Sequence, residues 1–240
     1  MKARSMAEHV IVTGGASGIG DAVVGMLRER GYAVTVFDLQ PSPRPDVHSA
    51  VVDVCDEAAV DAAIAEASAR GAIGGLVACH GARGAYVPAL EIELDALRRQ
   101  FDLHVVGTLA IARSIVRRLD GSPASIVLIS STTAYGGWAD QSDYGTAKAA
   151  ERKLMENLAV EWAPLGVRVN AVAPGHTRTP MVESLVAAGY DLLTAERRTP
   201  RGQLAAPEEI AEAVVWMLCD ASHVIGQCLP VDGGWTVVGK

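Results

Sequence analysis

Seven short apolar segments, most of them rich in β-branched residues, alternate with stretches of helical character along the chain. The predicted strands cover residues 9–13, 33–37, 50–52, 74–79, 124–130, 167–172 and 228–232. The first predicted helix ends near residue 30. The other predicted helices cover residues 56–70, 94–119, 144–163 and 207–220. Continuous apolar strands separated by helices are typical of a parallel sheet that is covered on both faces. The sequence therefore predicts a doubly wound α/β fold with a seven-stranded parallel sheet.

The chain length of 240 residues suits one domain of this class, which can reach roughly 250 residues as a unit. No internal repeat or linker divides the sequence, so a single Rossmann-type domain over residues 1–240 is predicted. After the sixth strand, a polar stretch up to residue 203 is too long for an ordinary connection. Long connections tend to be functional, and residues 176–203 are predicted to form a substrate lid.

The charge balance argues against a nucleic-acid-binding protein, because 21 basic and 28 acidic residues give a net charge of -7 without a basic stripe. The one basic cluster, residues 196–201, is either a solvated loop or a patch for an anionic substrate. The four cysteines lack metal-ligand spacing, so no metal site is predicted. Without a secretory signal or an apolar run of about 20 residues, a soluble, cytoplasmic protein is expected.

A glycine-rich segment, TGGASGIG at residues 13–20, lies between the first strand and the first helix. Glycines at this place let the backbone approach a pyrophosphate, and the helix N-terminus offers free N–H groups and a positive dipole end. A simple tight turn is the alternative, but the position after the first strand favours phosphate binding. The predicted dinucleotide contacts in this segment are Gly14, Ser17, Gly18, Ile19 and Gly20.

An acidic residue, Asp38, stands at the end of the second strand, eighteen residues after the last glycine of that segment. A carboxylate there can accept hydrogen bonds from both ribose hydroxyls of an adenosine, and it repels a 2′-phosphate. Neither Ser17 nor Leu39 is a basic neighbour that could neutralise such a phosphate, so NAD is predicted rather than NADP. Asp53 and Val54, at the end of the third strand, either contact the adenine edge or form an ordinary turn.

Tyr144 and Lys148 lie four residues apart at the start of a predicted helix, a spacing that places two side chains on one helical face. Free tyrosine, with a pKa of about 10, is a poor base at neutral pH. A cation within roughly 4–6 Å favours the phenolate form. Taken alone, however, such a pair is more often the polar first turn of a surface helix.

Together, these motifs resemble those of the short-chain dehydrogenase/reductase family along essentially the full chain. TGGASGIG is similar to the family's T-G-x-x-x-G-x-G, and YGTAK, which begins at Tyr144, is similar to its Y-x-x-x-K. Ser131 lies thirteen residues before Tyr144, which is the family's usual spacing. NAVAPGHTRTPM at residues 170–181 and VDGG at residues 231–234 resemble the family's sixth-strand and C-terminal motifs.

The resemblance implies hydride transfer between a nicotinamide cofactor and a carbon that bears oxygen, with Tyr144 as the general base or acid. It implies that Lys148 supports the phenolate and binds the nicotinamide ribose, and that Ser131 binds the substrate oxygen. Ser130 competes for that last role, because adjacent strand residues point to opposite faces. Further cofactor contacts implied by the resemblance are Pro174, Thr177 and Thr179. Without it, these two threonines would be interpreted as loop caps.

Two departures from the family pattern concern Cys79 and His104. Where the family often has N-N-A-G after the fourth strand, residues 78–81 read A-C-H-G, and only the backbone of Cys79 and Gly81 is expected to line the cofactor ribose. His104 occupies the position of an asparagine that helps to link the lysine to solvent as a proton relay. An imidazole could replace that asparagine and titrate near neutral pH, or it could be a packed histidine without a part in turnover.

Three segments, residues 82–88, 132–142 and 176–203, are predicted to form the substrate pocket. The candidate substrate contacts are Ser131, Tyr144, Arg83 and Trp138, with Tyr86, Tyr135, Gln141, Met181 and Tyr190 as further possible lining residues. This mixture favours a cyclic or polyol-like secondary alcohol, with an acid group that Arg83 could bind.

The sequence as a whole predicts an NAD-dependent oxidoreductase of a small secondary alcohol or its ketone. One alternative is an NADPH-dependent carbonyl or 3-ketoacyl reductase, which Asp38 disfavours. The other is a non-catalytic NAD-binding regulatory protein, which the set of Ser131, Tyr144 and Lys148 disfavours. The resemblance also implies a homo-oligomer, with a tetramer favoured over a dimer, and assigns its interface to the predicted helices over residues 94–119 and 144–163. No nucleic-acid or membrane partner is expected.

Overall fold

The apolar segments form the predicted sheet in a computed structural model that describes residues 8–187 and 189–238. The strands are β1 (His9–Thr13), β2 (Ala33–Asp38), β3 (His48–Val51), β4 (Ile73–Ala78), β5 (Ala124–Ile129), β6 (Val167–Pro174) and β7 (Cys228–Val231). All seven are parallel and follow the order β3-β2-β1-β4-β5-β6-β7. The predicted fold class is confirmed, although β3 begins two residues before the predicted segment.

Helices cover both faces of this sheet. They are α1 (Gly18–Glu29), α2 (Glu57–Arg70), α3 (Leu94–Phe101), α4 (Thr108–Val116), α5 (Tyr144–Trp162), α6 (Pro180–Ala187), α7 (Leu192–Arg198) and α8 (Pro207–Cys219). On one face, Ile64, Ile111 and Met155 pack from α2, α4 and α5, and on the other face Leu27 and Ile210 pack from α1 and α8. Because strand side chains alternate between the faces, one sheet supplies both apolar cores.

The prediction of one continuous helix over residues 94–119 is wrong. A π-helical segment, Asp102–Gly107, separates α3 from α4, and α4 ends at Val116. The apolar periodicity of the sequence is compatible with an unbroken helix, whereas a π segment adds a residue to the turn and rotates the side chains that follow. Gly107 packs against the chain that follows β3, since an added Cβ atom would be 3.1 Å from the carbonyl oxygen of Val54.

The segment over residues 176–203, for which the sequence predicts no helix, contains α6 and α7. Both helices are short, with eight and seven residues, and their sequences lack a long apolar period. Ala195 of α7 is buried, while most other side chains of the two helices are exposed or half-buried. The segment therefore packs on the domain through few side chains, and its function as a lid stays a prediction.

The strand order places a crevice beyond β1. From β1 the chain continues to β2 and β3 on one side, then returns to add β4 on the other side. The connections on the two sides of β1 therefore diverge, and a gap opens outside the carboxyl ends of β1 and β4. Ligands of open α/β sheets bind in such gaps.

Candidate active site

One cavity of about 410 Å³ follows the carboxyl edge of the sheet across this crevice. It is lined by every residue predicted to contact a cofactor or to take part in catalysis. These residues are Gly14, Ser17, Gly18, Ile19, Gly20, Asp38, Leu39, Asp53, Val54, Cys79, Gly81, His104, Ser131, Tyr144, Lys148, Pro174, Thr177 and Thr179. Arg83 and Trp138, the two predicted substrate contacts, line the same cavity. The structure thus brings the predicted site together, while the role of each residue stays a prediction.

The glycine-rich segment packs so closely that two of its glycines leave no room for a side chain. Gly14 has a φ of +64°, and a Cβ atom there would lie 2.6 Å from the carbonyl oxygen of Cys79. A Cβ atom on Gly20 would lie 2.0 Å from the carbonyl oxygen of Gly14. The segment can therefore bring its backbone to the mouth of the cavity, where α1 begins.

The N-terminus of α1 is suited to bind a pyrophosphate. Its N-cap residue, Ser17, makes no side-chain hydrogen bond to the first turn. The backbone N–H groups at the start of the helix are therefore available to a ligand, and the helix dipole favours an anion there. A dinucleotide fits this part of the site, because the donors are backbone groups that line the cavity.

Asp38 lies at the end of β2 with its carboxylate held between two backbone N–H groups. Ala16 donates to Oδ2 at 3.0 Å and Gln40 donates to Oδ1 at 3.1 Å. Each carboxylate oxygen can accept a further hydrogen bond, so the side chain is fixed in place and still able to bind ribose hydroxyls.

Ser131 and Ser130 differ in how their hydroxyl groups are used. The Ser130 hydroxyl donates to the carbonyl oxygen of Lys148 at 3.4 Å. The Ser131 hydroxyl oxygen accepts from the backbone N–H of Thr133 at 3.2 Å, which leaves its own proton to donate. Of the two candidates, Ser131 is therefore the one whose O–H group can bind a substrate oxygen.

Tyr144 is the first residue of α5, which is where the predicted helix began. Its ring makes an edge-to-face contact with the ring of His104, with centroids 5.6 Å apart. The Lys148 ammonium lies 5.9 Å from the centroid of the Tyr144 ring. The lysine and the tyrosine thus share one helical face, as their spacing predicts.

The ammonium group of Lys148 is buried and makes two hydrogen bonds below the cavity. Nζ donates to the carbonyl oxygen of Ile129 at 2.7 Å and to Oε2 of Glu151 at 2.9 Å. Burial is the largest influence on the pKa of Lys148 and lowers it, but Glu151 and the other nearby groups together hold this pKa above its ordinary value. This direction favours a positively charged Lys148 at neutral pH.

Glu151 belongs to a group of buried side chains that the sequence reasoning missed. Thr108 donates to Oε1 of Glu151 at 3.4 Å, and Nε2 of His80 lies 3.2 Å from the Thr108 hydroxyl. Nδ1 of His80 lies 2.6 Å from the hydroxyl of Thr13, at the end of β1. We call Thr13, His80, Thr108, Lys148 and Glu151 the buried polar cluster. The spacing of three residues between Lys148 and Glu151 is a signal that could have revealed their contact.

His104 is fully buried within the π-helical segment. Its Nε2 lies 3.4 Å from the carbonyl oxygen of Ala82, and its Nδ1 has no partner among the described residues. Burial lowers the pKa of His104 to about 2, and the nearby Lys148 cation adds to this effect. Of the two alternatives for His104, burial favours a neutral ring over one that titrates near neutral pH.

Trp138, His176 and Tyr190 line the cavity and pack with further aromatic side chains. Trp138 stacks on Trp235 with ring centroids 4.9 Å apart, and His176 stacks on Tyr190 at 5.6 Å. Tyr86 meets Tyr190 edge to face. We call Tyr86, Trp138, His176, Tyr190 and Trp235 the aromatic cluster. His176 and Trp235 were not singled out from the sequence, since each lies far along the chain from Trp138.

Some predicted lining residues lie elsewhere. The hydroxyl of Tyr135 donates to the carbonyl oxygen of Cys228 at 2.7 Å, and neither Tyr135 nor Tyr86 lines the cavity.

Within the basic cluster over residues 196–201, the Arg198 guanidinium lies 4.0 Å from the Trp235 ring centroid. Arg201 forms an ion pair with a glutamate of α8. None of this cluster lines the cavity, which argues against the patch for an anionic substrate.

Two classes of feature are not found over residues 8–187 and 189–238. No cluster of three or more histidine, cysteine or acidic side chains has a geometry that could bind a metal ion. None of the helices in these residues combines the length and the apolar character that crossing a bilayer requires.

Comparison with known proteins gives matches that span nearly the whole chain. A family model described as enoyl-(acyl carrier protein) reductase matches residues 14–236. A cis-4-hydroxycyclohexanecarboxylate dehydrogenase of Sinomonas cyclohexanicum is 38% identical over 98% of this chain and 99% of its own length. A 2,5-dichloro-2,5-cyclohexadiene-1,4-diol dehydrogenase of Sphingobium indicum is 34% identical over 95% of this chain and 97% of its own length.

A solved structure has the same architecture. The crystal structure of levodione reductase superposes with a TM-score of 0.89 at 28% identity, and the match covers 98% of this chain and 100% of that chain. The likeness therefore extends from the glycine-rich segment to the C-terminal strand.

Proposed function

The chain belongs to the short-chain dehydrogenase/reductase family and is an oxidoreductase of alcohol or ketone substrates, and we propose that it transfers hydride between NAD and a secondary alcohol carried on a ring. The observation that carries the proposal is that Ser131, Tyr144 and Lys148 face one cavity, which Asp38 also lines. This arrangement joins a proton-transfer group to a dinucleotide site.

The residues that would bind NAD are distributed along the cavity. The N-terminus of α1 would bind the pyrophosphate, Asp38 the adenosine ribose, and Lys148 the nicotinamide ribose. Thr177 and Thr179 would contact the carboxamide. When bound, the nicotinamide accepts or returns the hydride. The carboxylate of Asp38 supports NAD over NADP because it would repel a 2′-phosphate.

The chain's own residues would move the proton. In alcohol oxidation, Tyr144 takes the proton of the substrate hydroxyl, and in ketone reduction it returns that proton to the oxygen. Ser131 donates a hydrogen bond to the same oxygen and fixes its position. Lys148 places a positive charge near the phenol and favours the phenolate. We further propose that His104, as a neutral ring able to donate and accept, takes the place of the family's asparagine in the path between Lys148 and solvent.

A ring substrate is supported by the aromatic cluster. Flat side chains contact the faces and edges of a ring more completely than they contact a flexible chain. Both reported relatives carry names of dehydrogenases of six-membered-ring alcohols. Arg83 lines the cavity and would bind a carboxylate on the ring.

The proposal is tested by turnover. Purified protein is supplied with NAD or NADP and, in separate reactions, cis- and trans-4-hydroxycyclohexanecarboxylate, cyclohexanediols and linear polyols. Formation of reduced cofactor is followed by absorbance, and reduction of the matching ketones is followed in the reverse direction. We expect turnover of ring alcohols with NAD and weaker turnover of linear polyols. NAD binding without conversion of any alcohol or ketone would favour the non-catalytic alternative.

A homo-oligomer, with a tetramer favoured, is supported by apolar side chains on the helices that the family resemblance assigns to the interface. Leu94 in α3 is 62% exposed, Val106 in the π-helical segment 56% and Val160 in α5 78%. Apolar side chains of this size exposed on neighbouring helices are typical of protein interfaces. Light scattering after size-exclusion chromatography would measure the molar mass, and a monomer at micromolar concentration would contradict the proposal.

A further inference from the structure

Two of the three hydrogen-bond donors of the Lys148 ammonium are already used by buried acceptors below the cavity. An ammonium carries three N–H groups. One donates to the carbonyl oxygen of Ile129 and one to the carboxylate of Glu151. The third is left for the cavity, which Lys148 lines. Glu151 thus fixes the direction in which Lys148 presents its charge to Tyr144.

The hydrogen bonds of the cluster have one consistent direction. The carbonyl oxygen of Leu103 can only accept, and it lies 3.3 Å from Nε2 of His80, so the proton of this ring is on Nε2. Nδ1 then accepts from the hydroxyl of Thr13. Thr108 accepts from His80 and donates to Glu151, which accepts from Lys148 as well. Glu151 thus accepts from both Thr108 and Lys148, and these two donors stabilise its charged form.

The other titratable groups around this pair are neutral near pH 7. Burial lowers the pKa of His80 to about 4 and that of His104 to about 2. Burial raises the pKa of Cys79 to about 12 and also raises the pKa of the Cys228 thiol. The facing groups after β4, in the π-helical segment and at the start of β7 thus carry no charge. The remaining acidic group next to Tyr144 is the buried Asp143, whose carboxylate accepts from the backbone N–H groups of Tyr144 and Ala85 and is unchanged in every variant compared below.

We propose that Glu151 is a positioning residue that fixes the Lys148 ammonium and partly cancels the field of this ammonium at Tyr144. The inference rests on the proposed function, in which Tyr144 exchanges the proton of the substrate. A carboxylate paired with the lysine opposes the positive charge that favours the phenolate. The pair therefore acts on Tyr144 more weakly than a lone ammonium would, and Glu151 determines the pH at which the enzyme becomes active.

The inference predicts the direction in which the pH profile shifts when Glu151 is replaced. Replacing Glu151 by glutamine removes a negative charge, and this makes loss of a proton easier for Tyr144 and for Lys148 alike. Since the two groups are coupled, their shared titration moves to lower pH whichever of them loses the proton. We call the rise of kcat/KM for alcohol oxidation with increasing pH the acidic limb of the pH profile. In Glu151→Gln, this acidic limb is therefore expected about one pH unit lower than in wild type. A purely structural role of Glu151 would reduce stability or kcat without this shift.

The experiment compares the pH dependence of kcat/KM for wild type, Glu151→Gln, Glu151→Asp and Glu29→Gln with NAD and 4-hydroxycyclohexanecarboxylate. Glu151→Asp keeps the charge, and its profile is expected to return toward that of wild type. Glu29 is exposed in α1, away from the helices assigned to the interface, so Glu29→Gln makes the same charge change without a shift. An unchanged or upward-shifted limb in Glu151→Gln would overturn the inference.

A second measurement separates this inference from the proposed function. Formation of the Tyr144 phenolate is followed by ultraviolet absorbance as pH rises. The spectrum of the Tyr144→Phe variant is subtracted from that of the protein with Tyr144, both in wild type and in Glu151→Gln. A downward shift in Glu151→Gln supports the inference even if none of the tested alcohols is converted, and the absence of a shift overturns it. If Glu151→Gln does not fold, Thr108→Val is used, because it removes one donor that stabilises the carboxylate. A smaller downward shift is then expected, and no shift would count against Glu151.

Discussion

The buried polar cluster and the aromatic cluster both contribute residues to one cavity, and they are built from opposite kinds of interaction. In the first, Lys148 and Glu151 are shielded from water and form directed hydrogen bonds. In the second, rings such as Trp138 and Tyr190 are half-buried and stack on one another. This difference predicts that separate groups of residues control protonation and substrate shape.

The two clusters should respond differently to substitution. Removing one member of a buried ion pair leaves the other charge without a partner, and this is strongly destabilising. Removing a ring from a half-buried stack loses contact area and a modest pairing energy. We therefore expect changes in the buried polar cluster to alter rate, stability and pH dependence, and changes in the aromatic cluster to alter the KM of the substrate.

The largest effect is expected for Tyr144→Phe, which removes the proton-transfer group at the boundary of the buried polar cluster. General acid–base catalysis contributes about a hundredfold to ten-thousandfold in rate, so a fall in kcat of about a thousandfold is expected. Steady-state kinetics with the best alcohol of the panel measures this fall, and NAD binding by fluorescence titration serves as the control. Near-normal kcat with normal NAD binding would remove Tyr144 from the mechanism.

Lys148→Met tests the ion pair itself through stability. Burial raises the pKa of Glu151, and loss of the Lys148 cation would raise it further. A folded-state pKa above the unfolded value contributes stability at low pH that is lost as pH rises through the folded pKa. The variant is expected to lose about 3–5 kcal/mol at pH 8 and less at pH 5.

Thermal unfolding at the two pH values measures this difference, and each kcal/mol is expected to lower Tm by about 2–4 °C in a protein of this size. The matched control is Lys153→Met in the same helix, since Lys153 is exposed and its ion pair with Glu156 lies at the surface. Surface pairs contribute about 0–1 kcal/mol. Equal losses in the two variants, or a loss in Lys148→Met that does not depend on pH, would contradict a buried charge on Glu151.

The sequence was sufficient for the fold and for much of the site because both follow from local patterns. Apolar strand segments, the glycine-rich segment and the spacing from Tyr144 to Lys148 are each readable within a short window. The π-helical break was not readable, since its apolar pattern fits a continuous helix. The partners of Glu151 and the stacking of Trp138 on Trp235 depend on residues far apart in the chain, which come together only when the sheet order is known.

A moderate effect on substrate binding is expected when the aromatic cluster is reduced by Trp138→Ala. Loss of one aromatic pair is worth about 1 kcal/mol, which corresponds to a five- to tenfold rise in the KM of a ring alcohol. The acidic limb of the pH profile should not move. Trp216→Ala is the matched control, because Trp216 is 43% exposed in α8 and does not line the cavity. A change in kcat alone, without a change in KM, would contradict the separation of the two clusters.

The smallest effect is expected for His104→Asn, next to the buried polar cluster. Because burial lowers the pKa of His104 to about 2, the ring is already neutral wherever the enzyme is active, and a neutral amide can donate and accept in its place. Loss of the edge-to-face contact with Tyr144 costs about 1 kcal/mol or less, so kcat is expected within about fivefold of wild type with an unmoved acidic limb. Parallel pH profiles of His104→Asn and Glu151→Gln measure kcat and the position of the acidic limb. If the limb moves in His104→Asn and stays in Glu151→Gln, the histidine rather than the carboxylate controls the charge around Tyr144.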